Sequence, residues 1–336
     1  MKSKHIKNSV RIDILNTIRR LKEYSGMTLQ KLLNLLGMSR STYYRLSHFS
    51  FYRARRINVN KITAKEEAAV VEYALQNGNY NHRELAYRML DEGVAYMSKT
   101  SVYRILKAHG LISRQKNIKT RKQQYYTPHK PPARPDELWQ SDITYIPFKD
   151  RFYFLLIFID VYSRYIPHYR LMTDMTSRSV SQEFQVAYQK GQLKRKPILQ
   201  TDNGSSYTGK EFKTLLMEMN ITHNRISPGC PNQNAEIERA NRTLKELLLE
   251  YPYPKNFREL EKDIENLIEY YNEERYHSSL KYLPPKIYYR GKPERILQAR
   301  KRKLEEARRK RIIANLQTQK AVGDSLLKIA FCPTFN

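Results

Sequence analysis

The sequence predicts a multi-domain chain: an α-helical N-terminal region, a central α/β core on a mixed five-stranded sheet, and a basic helical C-terminal region. Three observations predict it. The chain has 336 residues, 40% of them hydrophobic, which is enough for two or three separate cores. Leucines near the N-terminus recur at helical spacing. After Leu138, strand-like runs come first and then alternate with helical ones, an order that folds as a mixed sheet covered by helices.

From Val10 to Tyr24 the pattern is helical and mixed. Leu29, Leu32, Leu33 and Leu36 then fall at i, i+3, i+4 and i+7, one apolar helix face. Gly37 suits a tight turn, and Ser39 can cap a short second helix that carries Arg40, Ser41, Thr42 and Arg45 outward. This is a helix-turn-helix pattern, and the polar second helix has the character of one that enters a major groove. A plain helical hairpin is the alternative.

After a basic connector, Tyr52 to Lys61, a second such unit is expected. Asn81 to Gly93 reads as a helix, and Ser98 to Gly110 as another, with Ser98 as N-cap, Val102, Ile105 and Leu106 inward and Arg104 available for DNA. The stretch RQKNIKTRKQQYYTPHKPPAR, Arg114 to Arg134, has no apolar period, and reads either as a linker that tracks phosphates or as a solvated one. Together these patterns divide the chain into 1–50, 62–113, a linker at 114–136, a core at 137–277 and a basic tail at 278–336.

In the core, Trp139–Phe148, Arg151–Asp160 and Tyr165–Met172 are strand-like and joined by short turns, so three antiparallel strands are expected. A helix over Thr176–Lys190, a strand at Pro197–Thr201, a helix over Lys210–Asn220, a strand at Ile221–Ile226 and a long helix over Asn234–Glu250 complete it. Beyond lie a helix at Asn256–Glu274, a break at Leu283-Pro-Pro, and a basic helix from Glu294 to Lys310 that either follows DNA or is solvated.

Sixty-one Lys and Arg against 33 Asp and Glu give a net charge of +28, which calls for a polyanionic partner, with nucleic acid ahead of an acidic membrane surface. No apolar run is long enough to span a bilayer, and the N-terminus lacks a signal-peptide core. Two cysteines, Cys230 and Cys332, cannot make a disulfide framework or a paired-ligand zinc site, so a reducing, cytoplasmic, nucleoid-associated protein is expected.

Against that positive background three acids stand out. Alternation along Trp139-Gln-Ser-Asp-Ile-Thr-Tyr145 sends Gln140, Asp142 and Thr144 to a polar face opposite Trp139, Ile143 and Tyr145. Asp202 ends the apolar run Pro197–Thr201, at the strand end where open α/β sheets place ligands, and Asn203-Gly204 follows as a turn. A third acid must come from the helix that begins near Asn234. Glu236 and Glu238 lie about 200° apart on it, so only one can face the sheet. Glu238 shares a stripe with Arg242 and Lys245, which leaves Glu236 as surface charge. Converging carboxylates need a cation, and Mg²⁺, a hard ion that takes oxygen ligands, fits them; two such ions would serve an in-line displacement at phosphorus.

The stretches WQSDITY, ILQTDNGSSY and PNQNAEIERANRTLK together resemble the catalytic core of the retroviral-integrase superfamily, in particular the DDE transposases of bacterial insertion sequences. YNEERYHSSL, followed by Pro284, is similar to the segment those transposases carry after the core. Thirty-five residues, Asn203 through Ile237, separate Asp202 from Glu238, the interval typical of the family; Glu236 would give 33. The resemblance implies an RNase H-like fold and two divalent ions, Mg²⁺ or Mn²⁺ in its place, held by Asp142, Asp202 and Glu238. It also implies cleavage of double-stranded element ends followed by strand transfer into target DNA, by a homo-oligomer. Lys245 matches a family position that contacts element-end DNA, with Asn234, Asn241 and Arg242 as companions. The chain departs from the family at Ala240, where an aromatic residue is frequent, and lacks the His/Cys zinc module of retroviral integrases. Asp160, a fourth acid, reads as structural and paired with Arg164. A DNA-binding regulator that keeps the core as scaffold, and an RNase H-type nuclease without strand transfer, share part of this pattern.

Overall fold

The computed structural model describes residues 8–47, 59–112, 131–191, 193, 195–227 and 231–330, with side chains described at all of these except 8–12, 45, 231, 232 and 319–330. Cys230, Cys332, the side chain of Arg45 and most of the basic linker lie outside the described residues. The chain forms two compact units, Met1–Lys61 with Arg309–Asn336, and Ile62–Arg308.

In the first unit, helices α1 (Asn8–Ser25), α2 (Leu29–Leu35) and α3 (Arg40–Ser47) bury Ile18, Leu32 and Leu33, with Ile14, Leu29, Met38 and Tyr43 packed around them. Leu36, expected on the same apolar face, follows the last residue of α2 and is 48% exposed. Gly37 takes a left-handed φ of 62°, which a side chain disfavours, and Ser39 Oγ accepts from Thr42 N as the cap of α3.

The second unit begins with α4 (Ala64–Gln76), α5 (His82–Glu92) and α6 (Lys99–Ala108), which share one core around Val70, Leu85, Met89, Val102 and Leu106. Helix α4 was not anticipated, although Thr63 and Glu66 form a reciprocal capping box at its start. Asn81 caps α5, Gly93 closes it at a φ of 79°, and Ser98 caps α6.

A five-stranded sheet follows, in the order β3-β2-β1-β4-β5. Strands β1 (Leu138–Phe148), β2 (Arg151–Asp160) and β3 (His168–Met172) form an antiparallel meander, and β4 (Ile198–Thr201) and β5 (His223–Arg225) extend it in parallel. The third strand starts three residues later than expected, at His168. Helices α7 (Ser177–Lys190), α8 (Ser205–Thr208) and α9 (Lys210–Glu218) cover one face over Trp139, Leu156, Phe158 and Leu199. Helices α10 (Ala235–Leu248) and α11 (Phe257–Glu273) cover the other, over Ile146, Phe148, Leu155, Ile157 and Ile159. The face of β1 that carries Asp142 is therefore polar only near its start, because Ile146 and Phe148 turn its far end into a second core. The result is the expected mixed five-stranded sheet, covered by helices on both faces.

Helix α12 (Pro285–Tyr289) and helix α13 (Pro293–Ala330) end the described chain, and α13 runs well past the expected Lys310. Within the second unit Arg300, 4% exposed, donates to both oxygens of Asp91 at 2.8 and 2.6 Å, and Tyr276 donates to the same carboxylate at 2.7 Å. Among the described residues no helix is long and apolar enough to cross a membrane.

Candidate active site

Two triplets, Gln140-Ser-Asp142 and Gln200-Thr-Asp202, lie side by side. β1 and β4 run parallel with Gln140 opposite Gln200, so each acid comes two residues after a paired glutamine. In each triplet the middle residue faces the other way and is fully buried. Ser141 Oγ donates to Ile157 O and bonds the Tyr207 hydroxyl at 2.9 Å, while Thr201 Oγ1 bonds His223 Nε2 at 2.8 Å. The strands are thus pinned from behind and present their acids forward.

Asp142 is partly buried. Its carboxyl is raised to about 6, first by burial and then by the negative charges of Asp202 and Glu238, against the opposing hydrogen bonds from the Ile143 backbone and Asn241. Asn241 Nδ2 donates to Asp142 Oδ2 at 2.7 Å. Asp202 Oδ1 accepts from Gly204 N at 2.9 Å, a tight turn in which a Cβ at Gly204 would sit 3.0 Å from that oxygen. The glycine therefore permits the close approach of backbone to carboxylate.

Glu238 is exposed in the first turn of α10, and Arg242 and Lys245 are exposed on the same stripe. Asp202 and Glu238 both lie near enough to Asp142 to act on it by charge, yet among the described residues no three His, Cys, Asp or Glu side chains close into a ready-made metal cage. The donors present are carboxylate oxygens, the kind a hard divalent ion takes. Asn241 Oδ1, buried and without a partner, adds an acceptor beside Asp142 that suits a water carried by such an ion.

Two expected DNA contacts turn inward. Asn241 is 6% exposed and spends its amide on Asp142, so it orients an acid instead of facing solvent. Asn234 is 3% exposed and its Oδ1 has no partner. Arg40 and Arg104 are exposed on α3 and α6. Glu236 is not free surface charge, because its carboxylate meets Arg164 Nη2 at 2.9 Å. Asp160 accordingly does without that guanidinium. Its oxygens accept from Asp136 N, Ser163 N and Ser163 Oγ, and burial raises it to about 6, so it is structural by a different partnership than expected.

Tyr207, Gln140 and Gln200 lie beside these acids, the two glutamines holding the main-chain carbonyl of Gln233, and sequence reasoning does not single them out. For Tyr207 it could not, since only the fold carries its ring beneath the acids. The glutamines had a signal, the Gln-Ser/Thr-Asp triplet that occurs twice.

Comparison with known proteins finds relatives along most of the chain. Residues 132–231 and 219–285 match two models described as integrase core domain. The transposase of insertion sequence IS904 from Lactococcus lactis is 33% identical over 153 residues, 45% of this chain and 60% of that protein. The putative transposase InsK of IS150 from Escherichia coli is 25% identical over 291 residues, 83% of this chain and 97% of that one. The chain thus spans about three fifths of the first relative and nearly all of the second. Among solved structures, the HTLV-2 integrase catalytic core in complex with magnesium is 22% identical, with a TM-score of 0.39 over 47% of this chain and 98% of that one.

Proposed function

We propose that this chain, which carries an integrase core domain and is related to insertion-sequence transposases, is itself a DDE transposase that cleaves DNA at element ends and joins them to a target. The observation that carries the reading is that the negative charges of Asp202 and Glu238 both act on the partly buried Asp142, in a chain of net charge +28. Like charge brought up to a partly buried acid is costly in a scaffold and useful where a divalent cation is to be held.

In this reading Asp142, Asp202 and Glu238 hold divalent cations, Mg²⁺ with Mn²⁺ as substitute. Two bound ions supply activation of the attacking oxygen and stabilisation of the leaving one. Asn241 holds Asp142 in one orientation, and the Gly204 amide does the same for Asp202. Arg242 and Lys245, exposed on the stripe of Glu238, offer cations to the phosphates beside the scissile bond. Helices α3 and α6, with Arg40 and Arg104 outward, are suited to binding the element's terminal sequence, each behind a short helical turn. A homo-oligomer is proposed because two ends have to be joined together.

The test is a duplex carrying the element's terminal repeat, incubated with the protein and Mg²⁺. Expected are nicks that free a 3′-hydroxyl and, with a labelled pre-cleaved end, joined products. Asp142→Asn, Asp202→Asn and Glu238→Gln should each lower both activities by at least about 10³-fold while duplex binding persists. Nicking without joining would identify a nuclease, and binding without nicking a regulator. Variants as active as wild type would show that other residues carry the chemistry.

A further inference from the structure

Helix α10, which delivers Glu238, has no cap of its own. Asn234 occupies the N-cap position, yet its side chain makes no capping bond. The N–H of Ile237, third residue of the helix, is satisfied from the sheet instead, by Gln140 Oε1 at 3.2 Å. The same amide donates through Nε2 to the carbonyl of Gln233 at 2.9 Å, and Gln200 Nε2 donates to that carbonyl at 2.7 Å. One main-chain oxygen just before α10 is thus gripped from both strands that carry an acid.

We infer that Gln140 and Gln200 form a two-armed clamp that fixes the start of α10 against β1 and β4, and so sets the placement of Glu238 relative to Asp142 and Asp202. This rests on the reading of the three acids as one cation site. Gln140 and Gln200 are in register across a parallel strand pair, each two residues ahead of its acid and on the same face. The span from clamp to acid is therefore short on every side: two residues to Asp142, two to Asp202, five to Glu238. Gln140's second bond is to Ile237 N, inside α10 and one residue before Glu238, so a shift of the clamp reaches the acid through a single peptide unit. Gln140 is 3% exposed and both of its polar atoms are engaged, so the clamp is built into the fold and does not depend on solvent. The second arm leaves Gln233's carbonyl held when either glutamine is lost. The side chain of Gln233 has a separate duty, accepting from Ser227 N at 2.9 Å.

These are positioning residues, and the test reads the site without turnover. Mn²⁺ alone is titrated into the full-length protein and followed by electron paramagnetic resonance, with Trp139 fluorescence as a check on folding. Gln140→Met and Gln200→Met should each weaken Mn²⁺ binding about tenfold, and the double variant should approach Glu238→Gln, in line with the about 10- to 100-fold effects of residues that orient metal ligands. Gln233→Ala, which keeps the gripped carbonyl, should stay within about twofold of wild type. Exchange of the Ile237 amide with solvent should accelerate in Gln140→Met and not in Gln233→Ala. If the double variant binds Mn²⁺ as wild type does while Glu238→Gln does not, the clamp is wrong and the acid assignment stands. If Glu238→Gln also binds normally, both fall. Should Gln140→Met fail to fold, Gln200→Met, which removes one arm only, still decides.

Discussion

His277 carries a pH signature that can be checked on one side chain. Burial pushes its imidazole down to about 3, and the charges of Arg275, Arg164 and Arg239 act in the same direction. The ring packs edge-on against Tyr271 and lies 3.2 Å from an Arg275 nitrogen, surroundings that suit a neutral ring. The folded-state value lies below that of the unfolded chain, so the unfolded chain takes up the proton first. Stability from this group is complete above pH 6.5 and is lost as pH falls toward 3. Between pH 7 and pH 5 the wild type should lose about 2 kcal/mol more than His277→Gln, read from urea midpoints at each pH. Equal losses would mean that the ring titrates normally. The acids of the site show how far residue chemistry was legible. Asp142, Asp202 and Glu238 are proposed from strand alternation and from an interval that resembles the family's, both read along the chain. The bond of Asn241 to Asp142 is not legible that way, because its partner lies in another element.

At the scale of elements, α11 is tied to the loop before β3 by a single side chain. Asn272, 5% exposed, donates to Ile166 O at 3.0 Å and accepts from Ile166 N at 2.9 Å, imitating a strand partner. Asn272→Leu fits the volume but strands both main-chain groups in an apolar core, and should cost about 3 kcal/mol in urea unfolding. A cost below about 1 kcal/mol would show that water reaches Ile166. These bonds lie where the third strand was expected to begin, at Tyr165. Strand-like residues run on through Tyr165 and Ile166, but their main chain is spent on Asp160 and on this amide, so pairing with β2 begins only at His168. The order and type of the core elements were legible because period and punctuation sufficed. Helix α4 was overlooked despite its capping box, and the length of α13 was underestimated because its charge pattern has no stop signal near Lys310.

For the whole molecule, the excess of 61 basic over 33 acidic residues would govern how it meets the duplex proposed for it. If Arg40, Arg104, Arg242 and Lys245 are joined by a few more cations at phosphates, binding to a terminal-repeat duplex should fall by about 10³-fold or more between 50 and 200 mM salt. Fluorescence anisotropy across that range is the measurement, and a nearly flat response would remove the phosphate contacts from the account. Net charge points to such a partner, but it does not show how the chain shares its cations out. Several are spent internally: Arg300 on Asp91, Arg164 on Glu236, Arg88 on Glu84.

The outer strands of the sheet carry a consequence for assembly. β5 has three residues and β3 five, and both edges bear basic or imidazole side chains at His223, Arg225, His168 and Arg170. Such short borders, each bearing an arginine, leave little unpaired backbone for a neighbouring chain to extend, the arrangement by which sheets avoid edge-to-edge growth. Copies of this protein that gather on DNA would therefore associate through helices and loops, and the protein should remain dispersed at high concentration instead of polymerising strand upon strand.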